Sequence, residues 1–188
     1  MVRIVAGTAR GRKLETPDGL DTRPTLDRVK EAMFGSLQFE VPYARVLDLF
    51  SGSGNLGLEA ASRGASFVVL NDRNPACADL IRKNAKAIGL DAVVRVLNED
   101  YLAAINLLAR EGESFDIVFL DAPYQDGTAQ LAAEELFKRE MIRPGGTVMI
   151  EFATALEPPH GIEGLMRIRR MKHYGACSFA LLEGANEP

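Results

Sequence analysis

Residues 46–57 read Val46-Leu-Asp48-Leu-Phe50-Ser-Gly52-Ser-Gly54-Asn-Leu-Gly57, a short apolar run followed by three closely spaced glycines. The run predicts a buried strand, and the glycines match the G-x-G-x-x-G pattern that joins a strand to a helix. Glycines in such a turn permit a tight bend and let the backbone approach a nucleotide-like ligand. Because glycine is common in any strand-to-helix turn, the pattern indicates a cofactor site only when neighbouring residues support it.

The chain after residue 45 alternates strand and helix patterns. Strands are predicted at residues 46–50, 67–70, 93–97, 115–120 and 146–152, and helices at 55–63, 75–88, 101–110 and 128–139. The fifth strand is predicted to follow Arg143-Pro144-Gly145-Gly146, and residues 166–173 and 177–182 read as a hairpin. Alternating units of this kind favour an α/β fold, with a mostly parallel sheet and an antiparallel edge.

The first 42 residues have a different pattern. Residues 1–22 read as short extended pieces with turns, and a helix is predicted from Pro24 to about residue 37 because apolar residues recur there at helical spacing. We therefore divide the chain into an N-terminal basic extension with its helix, residues 1–42, and a core domain, residues 43–188.

The composition is that of an ordinary globular protein, with 188 residues, 47% hydrophobic and 26% charged. The sequence contains no apolar run of about 18 residues and no signal-peptide pattern. Its two cysteines do not make a disulfide framework or a metal site. The expected location is the cytoplasm, with no membrane association and no metal.

The net charge is −4, but the positive charges are concentrated at the two ends of the chain. The N-terminal cluster consists of Arg3, Arg10, Arg12 and Lys13, and the late cluster of Arg167, Arg169, Arg170 and Lys172, with no acidic residue inside either segment. Basic ends on an acidic body can bind phosphates, so the N-terminal cluster and Arg23 are assigned to RNA binding. The alternative is that they are solvated strand edges, and that Arg23 contacts a cofactor carboxylate or anchors the helix at Pro24.

Acidic residues lie at the ends of three predicted strands or shortly after them. Together with the glycine turn they form a candidate cofactor site. Asp48 ends the first strand and can face a cationic ligand, and Asp72, 20 residues after Gly52, can accept both hydroxyls of a ribose. Asp100 can hold an adenine amine, or it caps the helix that begins at Tyr101. The full candidate set is Asp48, Phe50, Gly52, Gly54, Asp72, Arg73, Asp100 and Tyr101.

Two cofactors suit this arrangement, NAD and S-adenosylmethionine. A dinucleotide places its pyrophosphate against the helix N-terminus, where Asp48 would repel it. A cofactor with a sulfonium and an ammonium group can use that carboxylate. The residues therefore favour S-adenosylmethionine.

Asp121-Ala122-Pro123-Tyr124 comes directly after the fourth strand, where ligands bind in open α/β sheets. The carboxylate of Asp121 and the carbonyl of Ala122 can hold the two hydrogens of an exocyclic amine, and Tyr124 can stack on the base. Pro123 shapes the turn between them. A plain proline turn is the alternative. Neither cysteine follows a strand, which argues against the thiolate chemistry of pyrimidine C5 methylation.

These residues together resemble the RsmD-type family of bacterial 16S rRNA guanine-N2 methyltransferases. The most specific parts are the opening from Arg3 to Arg12 and the segment Thr22-Arg23-Pro24-Thr25, which accompany the glycine turn and the residues 121–124. The likeness covers nearly the whole chain. The family usually has two prolines between the acid and the aromatic residue, and here position 122 is alanine, which loosens the turn but keeps the carbonyl.

The resemblance implies a seven-stranded, Rossmann-like, S-adenosylmethionine-dependent methyltransferase fold for residues 43–188. It implies methyl transfer to the N2 amine of a guanine in 16S rRNA, presented within a 30S subunit or an assembly intermediate. We expect the enzyme to be a monomer. Three alternatives remain open. One is an adenine-N6 DNA methyltransferase, although 188 residues leave no room for a separate target-recognition domain. The others are a non-catalytic S-adenosylmethionine-binding assembly factor and, least favoured, an NAD-dependent oxidoreductase.

Overall fold

The computed structural model describes residues 2–17, 24–122 and 127–185, with only the backbone for residues 24–27. The strands are β1 (Val2–Arg3), β2 (Lys13–Leu14), β3 (Arg45–Asp48), β4 (Phe67–Asn71), β5 (Val94–Leu97), β6 (Phe115–Leu120), β7 (Ile142–Ala153), β8 (Met166–Tyr174) and β9 (Cys177–Gly184). The helices are α1 (Pro24–Ser36), α2 (Asn55–Ser62), α3 (Pro75–Ala87), α4 (Tyr101–Arg110) and α5 (Thr128–Lys138). The predicted order of strands and helices is confirmed.

Seven strands form one sheet in the order β5-β4-β3-β6-β7-β9-β8. The first five strands of that order are parallel, and β9 pairs antiparallel with both β7 and β8. The chain winds outward from β3 through β4 to β5 and then returns to place β6 on the other side of β3. The carboxyl ends of β3 and β6 therefore meet at the point where the winding direction reverses, which is where such sheets bind ligands.

The sheet is covered on both faces, and each face has its own apolar core. Side chains alternate along β3, so that Val46 packs on the face that carries α1, α2 and α3, and Leu47 on the face that carries α4 and α5. Phe34 of α1 contacts Phe119 of β6 with ring centroids 5.5 Å apart. The mostly parallel α/β architecture expected from the alternation is confirmed.

The predicted start of the fifth strand at residue 146 is wrong, because β7 already begins at Ile142 and includes residues 143–146. Ile142 pairs with Phe115, and the pairing resumes at Thr147 opposite Ile117 after a shift of register. Gly145 has a φ of 75°, a conformation that glycine adopts without strain. The proline and two glycines therefore form a bulge rather than a strand boundary.

The start of the N-terminal extension is anchored to α2. Glu59, fully buried on α2, accepts the backbone N–H groups of Val5 at 2.7 Å and Ala6 at 2.9 Å, and it lies 3.2 Å from Nζ of buried Lys30. Gly7 turns at φ 83°, and a Cβ atom there would lie 1.8 Å from the carbonyl oxygen of Ser62. Only glycine fits this close approach. The boundary at residue 42 stays a prediction.

Candidate functional site at the carboxyl ends of β3, β4 and β6

Asp48 holds the glycine-rich turn in place. Its Oδ2 atom accepts the N–H of Gly57 at 2.8 Å, and its carbonyl oxygen accepts the hydroxyl of Ser51 at 2.7 Å. Gly57 packs so closely that an added Cβ would lie 2.6 Å from Leu70. The third glycine of the motif is thus required for packing between helix and strand, as the pattern predicts.

The other carboxylate oxygen of Asp48 is buried, and within the described part of the chain it has no hydrogen-bond partner. Burial raises the pKa of Asp48 from 3.8 to about 7, against the opposing hydrogen bonds from Gly57 and Ser51, and the charge of Asp72 raises it further. A buried acceptor without a donor is costly. A cationic ligand above the turn would relieve this cost.

Asp72 connects the end of β4 to the glycine turn. Its Oδ2 atom accepts the N–H of Gly52 at 2.9 Å, and its Oδ1 atom accepts the N–H of Asn74 at 2.8 Å. Each carboxylate oxygen has a second acceptor site, so the side chain, which is half-buried, can still accept hydroxyl groups of a ligand. Gly54 adopts φ 83° at the start of α2 and so supplies the bend.

Asn71, which the sequence patterns did not single out, ties three chain segments together beneath the site. Its buried side chain donates to the carbonyl oxygens of Leu49 at 3.1 Å and Glu99 at 3.0 Å, and it accepts the N–H of Glu99 at 3.1 Å. The sequence feature that could have identified Asn71 was a side-chain amide at the end of an otherwise apolar strand. Asn71 thereby fixes the loop before α4 relative to β3.

The remaining predicted cofactor residues lie around the same edge. The rings of Phe50 and Tyr101 are in tilted contact, with centroids 5.8 Å apart. Asp100 caps the N-terminus of α4, because its side chain accepts the N–H of Leu102 at 3.0 Å. The residue is also exposed, so its carboxylate remains accessible to a ligand. Arg73 is exposed next to Asp72.

Asp121 lies immediately after β6, which pairs with β3, the strand that ends at Asp48. The residue is exposed at the surface. Surrounding protein atoms nonetheless exclude part of the water from its carboxylate, which raises the pKa of Asp121 well above its usual value, and the negative charges of Glu151 and Asp48 raise it further. Ala122 is buried. Pro123 and Tyr124, both assigned to the site from the sequence, lie outside the described residues.

A groove of about 590 Å³ opens beside Ala122. One wall is the N-terminal half of α5, the floor includes Ile150 and Glu151 of β7, and the opposite wall is the loop 156–160. Gln130 joins the two walls, because its side chain donates to the carbonyl oxygen of His160 at 3.3 Å and accepts the N–H of His160 at 3.2 Å. This volume lies within the usual range of ligand sites.

The N-terminal basic residues lie away from this edge. Thr8 donates its N–H to the carbonyl oxygen of Ser62, the last residue of α2, so the turn that contains Arg10 lies at the opposite end of α2 from the glycine turn. Arg10, Arg12 and Lys13 are exposed, and Arg12 donates to the carbonyl oxygen of Ala87 at 3.1 Å. The backbone carbonyl of Arg3 accepts Nζ of Lys30 at 2.6 Å. Arg23 lies outside the described residues.

The late basic cluster on β8 is partly neutralised by acidic neighbours. Arg167 pairs with Glu183 at 2.7 Å, and Arg169 pairs with Glu40 at 3.0 Å. Lys172 donates to the hydroxyl of Ser36 at 3.3 Å. These pairs favour the strand-edge alternative for Arg167 and Arg169 over phosphate binding.

Neither a metal cluster nor a membrane-spanning helix is found in the described ranges. Among residues 2–17, 24–122 and 127–185, no group of three or more His, Cys, Asp or Glu side chains is placed to hold a metal ion. None of the helices in those ranges has the length and apolar character needed to cross a membrane.

The architecture is that of a known class of proteins. A solved S-adenosylmethionine-dependent methyltransferase from Agrobacterium tumefaciens has this fold, at 16% identity and a TM-score of 0.63 over 88% of this chain and 63% of the other. A much closer structure, from Escherichia coli, has 33% identity and a TM-score of 0.84 over 97% of both chains. The seven-stranded methyltransferase fold expected from the sequence is confirmed.

The family follows from the sequence comparisons. The family described as Conserved hypothetical protein 95 matches residues 2–183. The Ribosomal RNA small subunit methyltransferase D of Haemophilus influenzae is 34% identical over 151 residues, which are 80% of this chain and 78% of that protein. The chain belongs to this RsmD-type family, and the resemblance seen in the sequence is confirmed.

Proposed function

We propose that the protein transfers the methyl group of S-adenosylmethionine to the exocyclic N2 amine of a guanine in the 16S rRNA of the small ribosomal subunit. The name of the Haemophilus influenzae relative supports a small-subunit rRNA substrate. The guanine, its N2 atom, and presentation within a 30S subunit or assembly intermediate come from the family resemblance. The protein is proposed to act as a monomer.

The observation that carries the proposal is a row of carboxylates on one face of the sheet edge. Asp48 ends β3, Asp121 follows β6, and Glu151 lies near the end of β7. The three strands are adjacent, and the negative charges of Glu151 and Asp48 contribute to the raised pKa of Asp121. Such a row disfavours a pyrophosphate and favours a ligand with positive charge. S-adenosylmethionine has two cationic groups, so the residues present fit this cofactor and not NAD.

Each residue then has a defined role. The cofactor supplies an electrophilic methyl group on a sulfonium sulfur. Asp48 faces its cationic groups, Asp72 accepts the ribose hydroxyls, and Asp100 with the Phe50–Tyr101 pair holds the adenine. Asp121 and the carbonyl of Ala122 accept the hydrogens of the guanine amine, which directs its lone pair towards the methyl group. Catalysis of this kind comes mainly from positioning and electrostatics.

The test is to identify the product. The protein is incubated with labelled S-adenosylmethionine and with 30S particles, naked 16S RNA or DNA from a strain that lacks the gene, and the modified nucleoside is identified after digestion. We expect N2-methylguanine from an RNA substrate. N6-methyladenine in DNA would replace the proposal by the alternative methyltransferase. Calorimetry that detects NAD binding but no S-adenosylmethionine binding would exclude both.

Cofactor affinity should depend on pH through Asp48. In the free protein its pKa is about 7, so the side chain is largely protonated at pH 6. The cofactor's positive charges favour the ionised form, and binding must therefore release a proton below this pKa. We expect affinity to rise by up to tenfold per pH unit from pH 5.5 towards 7, and then to level off, in titration calorimetry.

The control for this prediction is Asp48→Asn, which cannot ionise. It should bind the cofactor more weakly than the ionised wild type, with no slope between pH 5.5 and 7.5. In the protein without cofactor, Asp48 gives the stability of the fold a pH dependence in the opposite direction. Because the pKa of Asp48 is higher in the folded than in the unfolded state, its contribution to the free energy of unfolding is present below about pH 4. That contribution is lost as the pH rises towards and through 7. Equal pH profiles for the two proteins would contradict the assigned role.

RNA affinity should depend on Arg10 and Arg12. The double charge reversal Arg10→Glu with Arg12→Glu should raise KM for the RNA substrate and reduce the slope of log K against log salt, by about 0.7–0.9 for each phosphate that is no longer neutralised. Cofactor affinity should not change. Filter binding at several salt concentrations measures both the RNA affinity and its salt slope.

The matched control makes the same change of charge on the opposite face of the sheet, by Arg110→Glu with Lys138→Glu at the ends of α4 and α5. These substitutions should alter the salt slope much less. If both double variants behave alike, the effect is one of net charge, and the N-terminal cluster is only a solvated edge.

A further inference from the structure

Glu151 belongs to the row of carboxylates described above, but no contact with the substrate has been assigned to it. It lies in β7 and is only 8% exposed. β6 and β7 are parallel, and Leu120 pairs directly with Ile150. The next residue on each strand is Asp121 and Glu151, so the two residues stand side by side on neighbouring strands about 4.8 Å apart. The influence of Glu151 on the pKa of Asp121 agrees with this proximity.

Glu151 also borders the groove beside Ala122. The residue is held from the far side by β9, where Cys177 donates its thiol to Oε1 at 3.1 Å. The groove is large enough for a nucleotide base, and Glu151 connects it to Asp121 through the pairing of β6 with β7. A base whose amine lies against Asp121 would therefore bring the adjacent atoms of its Watson–Crick edge towards Glu151.

The purines differ at the atoms that would meet this second carboxylate. Guanine has two neighbouring donors on its Watson–Crick edge, N1–H and the N2 amine. Adenine has its amine beside an unprotonated N1 that can only accept. A pair of adjacent carboxylates thus matches guanine, and it would place an acceptor against an acceptor with adenine.

We propose that Glu151 accepts the N1–H of the target guanine while Asp121 holds the N2 amine, so that Glu151 determines the choice of guanine. This inference rests on the proposed function. It assigns Glu151 to base recognition, and no electrons or protons are transferred through it. Sites that hydrogen-bond a substrate donor discriminate strongly against analogues that lack the donor, because the buried acceptor is then left unsatisfied.

The test uses an acceptor base without this donor, and it relies on the change of preference in a Glu151 variant because the base also lacks the O6 atom of guanine. 2-Aminopurine keeps the N2 amine of guanine but has no hydrogen on N1. Small-subunit particles are assembled from 16S rRNA that contains guanine or 2-aminopurine at the position that the wild-type enzyme modifies. In single-turnover assays we expect the wild type to methylate 2-aminopurine about 10- to 100-fold more slowly than guanine, the range for one hydrogen bond to a charged group.

The substitution Glu151→Gln should reverse this preference. The glutamine amide can donate to N1 of 2-aminopurine but opposes the N1–H of guanine, so the ratio of the two rates should fall to about one or below. Affinity for S-adenosylmethionine should stay within about threefold, which a general loss of structure would not allow. Glu134→Gln is the matched control, since this carboxylate also lines the groove but bonds to Lys138 on α5. It should keep the wild-type ratio.

The outcomes separate this inference from the proposed function. If the wild type produces N2-methylguanine but treats the two bases alike, Glu151 does not read N1 and only the inference fails. If the product is not N2-methylguanine, the proposed function fails first. A wild-type ratio that persists in Glu151→Gln also overturns the inference. Should that variant not fold, a wild-type ratio near one still overturns the inference, because that measurement needs no substitution.

Discussion

Replacement of Asp121 by alanine should lower kcat by about 10²-fold or more while the affinity for S-adenosylmethionine changes little. The carboxylate stands at the end of β6 beside Asp48 and Glu151, where it can hold the amine of the acceptor base. Its removal takes away an orienting interaction that is fully effective only as the lone pair reaches the methyl group. Because the proposed role of this side chain is towards the acceptor, the proposed interactions of the donor with Asp72 and the glycine turn should remain. Single-turnover transfer to methyl-deficient 30S particles measures the rate.

Two comparison variants sharpen this result. Asp121→Asn keeps one carbonyl oxygen and should retain more activity than the alanine variant. Asp91→Ala removes an exposed carboxylate before β5, far from the acceptor side, and should be close to wild type. Normal methyl transfer by Asp121→Ala would remove the proposed catalytic centre altogether.

Replacement of Glu59 by alanine should reduce the free energy of unfolding by about 3–5 kcal/mol, the range for breaking a buried ion pair. Glu59 is fully buried, and Lys30 beside it is 2% exposed. The substitution takes this carboxylate from Lys30 and from Arg63, and it also removes the acceptor for the N–H groups of Val5 and Ala6. Denaturant unfolding followed by circular dichroism measures the change.

An exposed ion pair in the same extension provides the comparison. Glu15 pairs with Lys83 at 2.7 Å, with side chains 59% and 65% exposed. Glu15→Ala should cost no more than about 1 kcal/mol, because water screens the pair. If the two variants were equally stable, the buried network would not be what anchors the extension to α2.

Local sequence signals predicted the elements and the general position of the site. Apolar runs, glycines and prolines mark the strands and helices, because the backbone preferences of these residues act within a few positions. The acids Asp48 and Asp72 were predicted at strand ends, and the structure brings both to the glycine turn through hydrogen bonds to Gly57 and Gly52. The start of β7 was predicted four residues too late, since proline and glycine can lie in a strand irregularity as well as before a strand.

Long-range pairing could not be predicted from local sequence patterns. Asn71 was missed because its partners Leu49 and Glu99 are 22 and 28 residues away and meet only when β3, β4 and α4 assemble. The ion pair between Arg169 and Glu40, 129 residues apart, could not be anticipated from a run of basic residues. Counting the basic residues along the chain therefore overestimated how many side chains of the late cluster are available to bind RNA phosphates.

The sequence by itself determined the alternation of strands and helices, the glycine turn and the acids at strand ends, because periodicity and turn chemistry are local properties of the chain. The tertiary structure decided which of these acids are neighbours. Placing β6 between β3 and β7 brings Asp121 beside Asp48 on one side and Glu151 on the other. That order arises from packing helices on both faces of a twisted sheet, and the charge repulsion that results exists only once the strands are side by side.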